Sequence, residues 1–187
     1  ENRKAHEERK ARKYNARVYT GFPIRQWDRW IDGRQPRLLV FDLPANGAVG
    51  VPRDVLASTD LVNTSGYAGR RGDSGDSLDI AWASDGSGLV FTASANADAA
   101  AYAMTSTGLY WLPLAGGEPK RITPDTHSCS QATFAPDGST LLAACDQLTE
   151  FVYNHTRLAS LGWPAGNNFR VLTADFDRSV GSFGISG

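Results

Sequence analysis

"FAPDGSTL", Phe134 to Leu141, places an apolar residue on each side of a polar turn centred on Asp137-Gly138. Gly tolerates positive φ and Asp hydrogen-bonds its own backbone, so Asp-Gly between apolar runs predicts a tight hairpin. The string has a near copy upstream, "WASDGSGL", Trp82 to Leu89. Overlaid, Trp82 falls on Phe134, Asp85-Gly86 on Asp137-Gly138 and Leu89 on Leu141. The overlay extends downstream at a slightly shorter offset. Gly116 falls on Gly166, and Ile122-Thr123 on Leu172-Thr173. "PRDVL" (52–56) falls on "PKRIT" (119–123), and Ile185 lies near the position of Trp82 and Phe134.

Each unit reads as a hairpin with an Asp-Gly turn, followed by a pair of strands joined by a Gly-rich turn. A period of about 50 residues with four short strands is the signature of a β-propeller blade. One blade cannot bury both faces of its sheet, so neighbours must stack. The expected fold is all-β: a partial β-propeller of four-stranded antiparallel blades, about three blades' worth, truncated at both ends. Residues 1–13 are a charged arm, helical or frayed. Residues 14–56 form the outer part of one blade with an aromatic loop, 78–123 a second blade and 130–173 a third. Residues 180–187 start a fourth. Within this scheme Tyr14 to Tyr19 looks strand-like, Pro36 to Leu43 reads as a buried strand, and 57–77 as a long loop without period. Residues 95–107 are a small-residue excursion.

The composition sets outer limits. The chain has 187 residues, 41% hydrophobic and 21% charged, with a net charge of −1. No global field attracts nucleic acid or an anionic membrane, and no apolar run approaches the ~20 residues that span a bilayer. Neither partner is expected. Charge is uneven, because residues 1–37 carry a basic excess and the remainder an acidic one. The arm lacks the aromatics that would interleave with nucleic-acid bases. The two cysteines, Cys129 and Cys145, form no Cys/His cluster, so no zinc site is expected. They bracket the second hairpin nearly opposite one another. A disulfide and two small buried thiols both fit this placement, and the thiols are the commoner outcome.

Two features carry a family resemblance. The hairpins "AWASDGSGLVF" and "TFAPDGSTLLA" are close to the W-S-P-D-G-x-x-L/I-x-F repeat of TolB-like propellers and of prolyl oligopeptidase family propellers. "RVYTGFPIRQWDRWIDGRQPRLLVFDL" (17–43) resembles a segment of bacterial dipeptidyl-peptidase and acylaminoacyl-peptidase relatives, with Pro23, Arg25, Trp27, Asp28, Trp30, Asp32 and Gly33 on the pattern. The resemblance covers most of 14–187. It implies a propeller capping an α/β-hydrolase catalytic domain of the same parent protein. It also implies peptide substrates and a serine exopeptidase releasing dipeptides or acylated residues.

The reactive groups are missing from these residues. No G-x-S-x-G nucleophile elbow occurs; "GDSGDS" (72–77) has the wrong glycine spacing. His6, His127 and His155 have no partner set for a triad and read as surface histidines. No catalytic, cofactor-binding or metal-binding residue is assigned, and no cofactor is expected. Trp27 and Trp30 read as anchors packing their loop onto a blade, with Arg25 and Asp28 paired; the alternative is a peptide-contacting lip. Arg71-Gly72-Asp73 reads as part of a solvated loop, Glu7-Glu8 as helix-surface charge pairing, and Asp85 and Asp137 as turn residues. The Asn63 and Asn154 glycosylation strings have no supporting context.

The function expected is the non-catalytic, substrate-gating and scaffolding portion of a serine exopeptidase. The alternative is a TolB-like non-enzymatic propeller that mediates protein–protein interaction. A glycan-acting propeller would need clustered carboxylates and aromatics on one ring face, and none stands out. An incomplete ring exposes sheet faces and edges, which predicts association with itself or with a missing partner. Location is left open between cytoplasm and periplasm.

Overall fold

The computed structural model describes all residues except 1, 15, 17, 18, 20–23, 27, 28, 32, 33, 46, 48, 73, 74, 165 and 187. A helix, α1 (Asn2–Ala11), opens the chain. Two small hairpins follow: β1 (Arg25–Gln26) with β2 (Arg29–Trp30), and β3 (Leu39–Val40) with β4 (Arg53–Asp54). A one-turn helix, α2 (Asp60–Asn63), precedes a third hairpin of β5 (Arg70–Gly72) and β6 (Gly75–Ser77). The first four-stranded sheet contains β7 (Ile80–Trp82), β8 (Gly88–Ala93), β9 (Gly108–Pro113) and β10 (Lys120–Arg121). The second contains β11 (His127–Phe134), β12 (Thr140–Gln147), β13 (Thr156–Gly162) and β14 (Asn167–Val171). Both are antiparallel meanders in sequence order. Among the described residues no helix is long and apolar enough to cross a membrane.

The sequence repeat is reproduced bond by bond. At the first turn, Gly86 N–H donates to Ala83 O and Ala83 N–H to Gly88 O; at the second, Gly138 N–H donates to Ala135 O and Ala135 N–H to Thr140 O. Gly86 and Gly138 sit at φ +70° and +69°, in the region that favours glycine. Trp82 pairs with Leu89 as Phe134 pairs with Leu141. Both hairpins then carry a bulge at the same position, at Asp79 (φ 32°) and Gln131 (φ 55°). At the far side of each sheet an apolar-Thr pair closes the last strand. Ile122 N–H donates to Leu109 O, and Leu172 N–H to Leu158 O. Thr123 Oγ1 accepts from Leu109 N–H at 3.1 Å, and Thr173 Oγ1 from Leu158 N–H at 3.0 Å. The β3–β4 hairpin repeats half of this pattern, with Leu39 opposite Asp54 and Val55 N–H donating to Leu38 O.

Burial follows the alternation of side chains along a strand. Leu89, Phe91 and Ala93 face one way, into a cluster with Leu38, Leu56, Val62, Tyr67, Tyr110 and Leu112. Val90 and Leu109 face the other way, against Cys129, Leu141, Ala143, Cys145, Ala159 and Leu161 of the second sheet. The first sheet is therefore covered on both faces. Its lining reaches across the chain: Tyr67 donates its hydroxyl to Pro36 O, and Gln35 Nε2 donates to Val62 O. Thr107 stitches the two sheets together. Its N–H donates to Ser128 Oγ, its Oγ1 to Cys129 O, and its O accepts Cys129 N–H. The same contact recurs one unit on. Thr156 N–H donates to Ser179 Oγ, and Val180 N–H donates to Thr156 O.

Four expectations are corrected. Cys129 and Cys145 are disulfide-bonded rather than free thiols, their Cα atoms 4.1 Å apart as directly opposed residues of β11 and β12. The stretch 57–77 is not a structureless loop, since it holds α2, bridges from Gly66 to Asn96 and Ala68 to Ser94, and the β5–β6 hairpin. Pro36–Leu43 is not a buried strand. Leu38 is buried, but Leu39, Phe41 and Leu43 are exposed because β3–β4 has sheet on one side only. Residues 180–186 carry no strand, although Val180 is bonded to Thr156. Of the stretch Tyr14 to Tyr19, residues 15, 17 and 18 lie outside the described residues, and Tyr14, Ala16 and Tyr19 are in no strand.

Two isosteric substitutions should shift stability in opposite directions. Thr123→Val orphans the buried Leu109 N–H and is expected to destabilise by about 1–3 kcal/mol. Thr92 Oγ1 is buried without a partner, so Thr92→Val should be neutral or stabilising by up to roughly 1 kcal/mol. Urea unfolding of both variants checks the pair. Removing both cysteines (Cys129→Ala with Cys145→Ala) opens a loop of sequence separation 16. The expected cost is about 2–4 kcal/mol, read as a lower urea midpoint that reducing agent reproduces in the native chain.

Candidate functional site

The bulge positions single out one place where the two units differ. In the second sheet Ser128 pairs with Asp146, Cys129 with Cys145 and Ser130 with Ala144, without interruption. In the first sheet Thr92 N–H donates to Leu78 O, and the next position along, Ser94, pairs with Ala68 instead of with the chain leading into Leu78. Residues 69–77 leave the sheet between Ala68 and Leu78, where the second unit has Cys129 alone. They form the β5–β6 hairpin, with Arg70 opposite Ser77, Arg71 opposite Asp76 and Gly72 opposite Gly75. Gly69 stands at the base, where a Cβ would lie 2.6 Å from Ser77 O.

A bidentate ion pair fixes this hairpin to the sheet. Arg70 Nε and Nη2 both donate to the Asp79 carboxylate, the latter at 3.1 Å, and Ser77 Oγ adds a third donor at 2.6 Å. The guanidinium holds the Asp79 carboxyl below its ordinary range, and the same bond raises Arg70. Asp79 is the bulge residue itself, so the bulge aims the carboxylate at the insertion.

Beside the hairpin lies a cavity of about 370 Å³. Arg70 and Arg71 line it from the hairpin, Ala97 and Thr105 to Thr107 from the β8–β9 connection, and Ser128, Ser130 and Asp146 from the second sheet. Asn96 shapes the connection by accepting Ser106 N–H on its side-chain oxygen at 3.0 Å. Asp146 Oδ1 is shielded from solvent and receives no hydrogen bond. An unpaired buried acceptor is costly, which marks Asp146 within an otherwise well-bonded sheet. Among the described residues no group of three or more His, Cys, Asp or Glu is placed to hold a metal.

The residues singled out in the sequence are scattered. His6 is on α1, His127 starts β11 with its ring tilted against Phe169 at a centroid distance of 4.8 Å, and His155 is exposed before β13. Burial lowers the His127 pKa. Glu7 and Glu8 pair with Arg3 and Lys4 at the helix surface. Asp85 and Asp137 accept from Ser87 and Ser139 across their turns, which lowers both carboxyls. Asn63 bonds Thr59 O, and Asn154 bonds Thr149 and Phe151. Arg71 and Gly72 are in β5, while Asp73 lies outside the described residues. Trp27 and Asp28 also lie outside them. Trp30 does not join either apolar cluster: it is 52% exposed, stacked on Tyr19 at 5.9 Å with Arg25 over its ring. The anchoring role expected of it is corrected accordingly.

Asp146 and the 69–77 insertion were not evident from the sequence. The overlay held a signal for the insertion. "LDIAW" (78–82) aligns with "SQATF" (130–134), and the residues just before Leu78 have no counterpart before Ser130 beyond Cys129. No protein-family model and no curated protein matches the chain.

The Arg70–Asp79 pair predicts a specific titration. A carboxyl lowered in the folded state stabilises above its unfolded pKa of about 3.9. That stability is lost as pH falls through the lower folded value. The Asp79 carboxyl carbon, followed by NMR, is expected to titrate below the ordinary carboxylate range, and Arg70→Gln should move its midpoint up. An unchanged midpoint in Arg70→Gln would assign the shift to other groups.

Proposed function

We propose that this chain is an arc of a β-propeller that gates and scaffolds a serine exopeptidase of the prolyl oligopeptidase kind, with the catalytic α/β-hydrolase domain and its Ser, Asp and His elsewhere in the parent protein. Three observations support the propeller part. Two antiparallel four-stranded meanders repeat the same turn, bulge and closing-threonine hydrogen bonds. Their faces pack on one another. The Thr107–Ser128 contact recurs at Thr156–Ser179, as a stacked series requires. The second sheet's other face, with Leu142 and Leu158 only partly covered, is where the next member of the series would stack.

The observation that carries the gating part is the 69–77 insertion. It enters and leaves through the first strand of its sheet, which in a propeller is the strand nearest the central channel. A hairpin inserted there projects toward the passage through which a peptide reaches a catalytic domain below. Insertions in repeat proteins commonly gather on the binding face. The sequence resemblance of 17–43 to peptidase propellers supports the peptidase over the TolB-like alternative.

The chain by itself is expected neither to hydrolyse dipeptidyl chromogenic substrates nor to take a serine-reactive probe. In the parent protein, replacing 69–77 by a single residue should raise turnover of bulky peptides relative to short ones. Equal turnover of both sizes would remove the gating role. A parent reading frame without G-x-S-x-G followed by Asp and His would leave the TolB-like reading.

A further inference from the structure

The first sheet is covered unevenly on the face that packs against β3–β4. Directly opposed residues of an antiparallel pair share a face, so Ile80 and Trp82 point the same way as their partners Phe91 and Leu89. Phe91 and Leu89 are buried in the cluster that includes Leu38 and Leu56. Ile80 and Trp82, one strand over, are 52% and 51% exposed.

The second sheet shows what belongs there. Its counterparts of Ile80 and Trp82 are Ala132 and Phe134, which pack against the apolar cluster between the sheets, because β11 lies against β7, β8 and β9. Ahead of β7, the described residues supply counterparts of β9 and β10 only. These are β3 and β4: Leu38 O accepts Val55 N–H as Leu109 O accepts Ile122 N–H. β9 is paired on both edges, by β10 and β8, whereas β3 is paired by β4 alone. Leu38 O and Asp42 O accept from Val55 and Gly50 on the β4 side, so the N–H and C=O of Leu39 and Phe41 point to the open edge. An open edge beside an exposed apolar strip suits β-strand addition, in which backbone hydrogen bonds give affinity and side-chain contacts give specificity.

We infer that the open edge of β3 and the Ile80–Trp82 strip form one docking site for a further β-hairpin, contributed by a segment of the parent polypeptide outside these residues. Its second strand adds antiparallel to Leu39–Phe41, as β8 does to β9, and its first strand completes the cover over Ile80 and Trp82. The site continues the contact that β3–β4 already makes with the first sheet. A second copy of the chain has no such hairpin to spare. β8 and β12 are each paired on both edges within their own sheets, and the strands of β1–β2 and β5–β6 are two or three residues long and mostly polar. The inference rests on the propeller part of the proposed function and not on the peptidase part.

The test duplicates residues 78–93 (LDIAWASDGSGLVFTA) ahead of residue 1 of the 187-residue chain, through a flexible Gly/Ser linker of about 30 residues that keeps the copy at high effective concentration. Without the copy, the amides of Leu39 and Phe41 should exchange rapidly with deuterium. With it, their exchange is expected to slow at least about tenfold and the Trp82 indole N–H resonance to shift, at monomeric mass. Phe91→Pro in the copy removes the N–H that bonds β3 and should restore rapid exchange. Trp82→Ser in the chain proper should weaken the protection with a urea midpoint near native. Protection that survives Phe91→Pro overturns the inference. So does protection already present in the unextended chain, whether a dimeric mass shows a second copy as the occupant or a monomeric mass shows the chain covering its own edge. Resonance shifts confined to Leu142 and Leu158 would sink this site and leave the stacked series intact, whereas no docking on either sheet face would sink both.

Discussion

The dry contact between the two four-stranded sheets is the constraint on which the other features rest. A four-stranded meander of this size has two faces and too little chain to cover both. Val90 and Leu109 gain their burial only because Leu141, Ala143, Ala159 and the bridged cysteines lie opposite. The other face is closed by residues far upstream, Leu38, Leu56 and Val62. Removing either layer would expose apolar area worth about 25 cal/mol per Å². Polar detail is arranged around that constraint. Thr107 ties backbone to backbone where one sheet hands the chain to the next, and Arg121 bonds the carbonyls of Thr123, Pro124 and His127 along the connecting turn.

The parts legible in the sequence are those set by local chemistry. Asp-Gly turns, alternating apolar strands and the Ile-Thr and Leu-Thr endings read correctly because each is decided within a few residues. Asp85 and Asp137 bond the residue two positions on whatever surrounds them. The parts that were not legible depend on distant partners. The β5–β6 hairpin is made of Arg, Gly, Asp and Ser, types that signal a loop. It forms a ladder because Arg70 finds Asp79 across the bulge. Leu39 and Phe41 look like core but face outward, since β3–β4 is covered on one side only. Asp146 is invisible as a special residue until the geometry shows its oxygen buried and unmatched. The cysteines fall between these cases: their opposition follows from the hairpin register, while their covalent state does not.

The bulge at Asp79 and Gln131 shows how one backbone irregularity serves two ends. At Gln131 the side chain is exposed and the bulge only adjusts the strand. At Asp79 the same irregularity presents a carboxylate to the inserted hairpin and becomes its hinge-pin. Repetition supplies the backbone, and a single side-chain difference supplies the attachment.

The insertion between Ala68 and Leu78 begins and ends at neighbouring points of one strand. Chain length there is decoupled from the register of the sheet, since a whole hairpin in one unit replaces a single cysteine in the other. That position is a natural splice point. Segments of other lengths or chemistries could be exchanged at it without re-pairing a strand, so one scaffold could acquire different recognition elements while its layered interior stayed as it is.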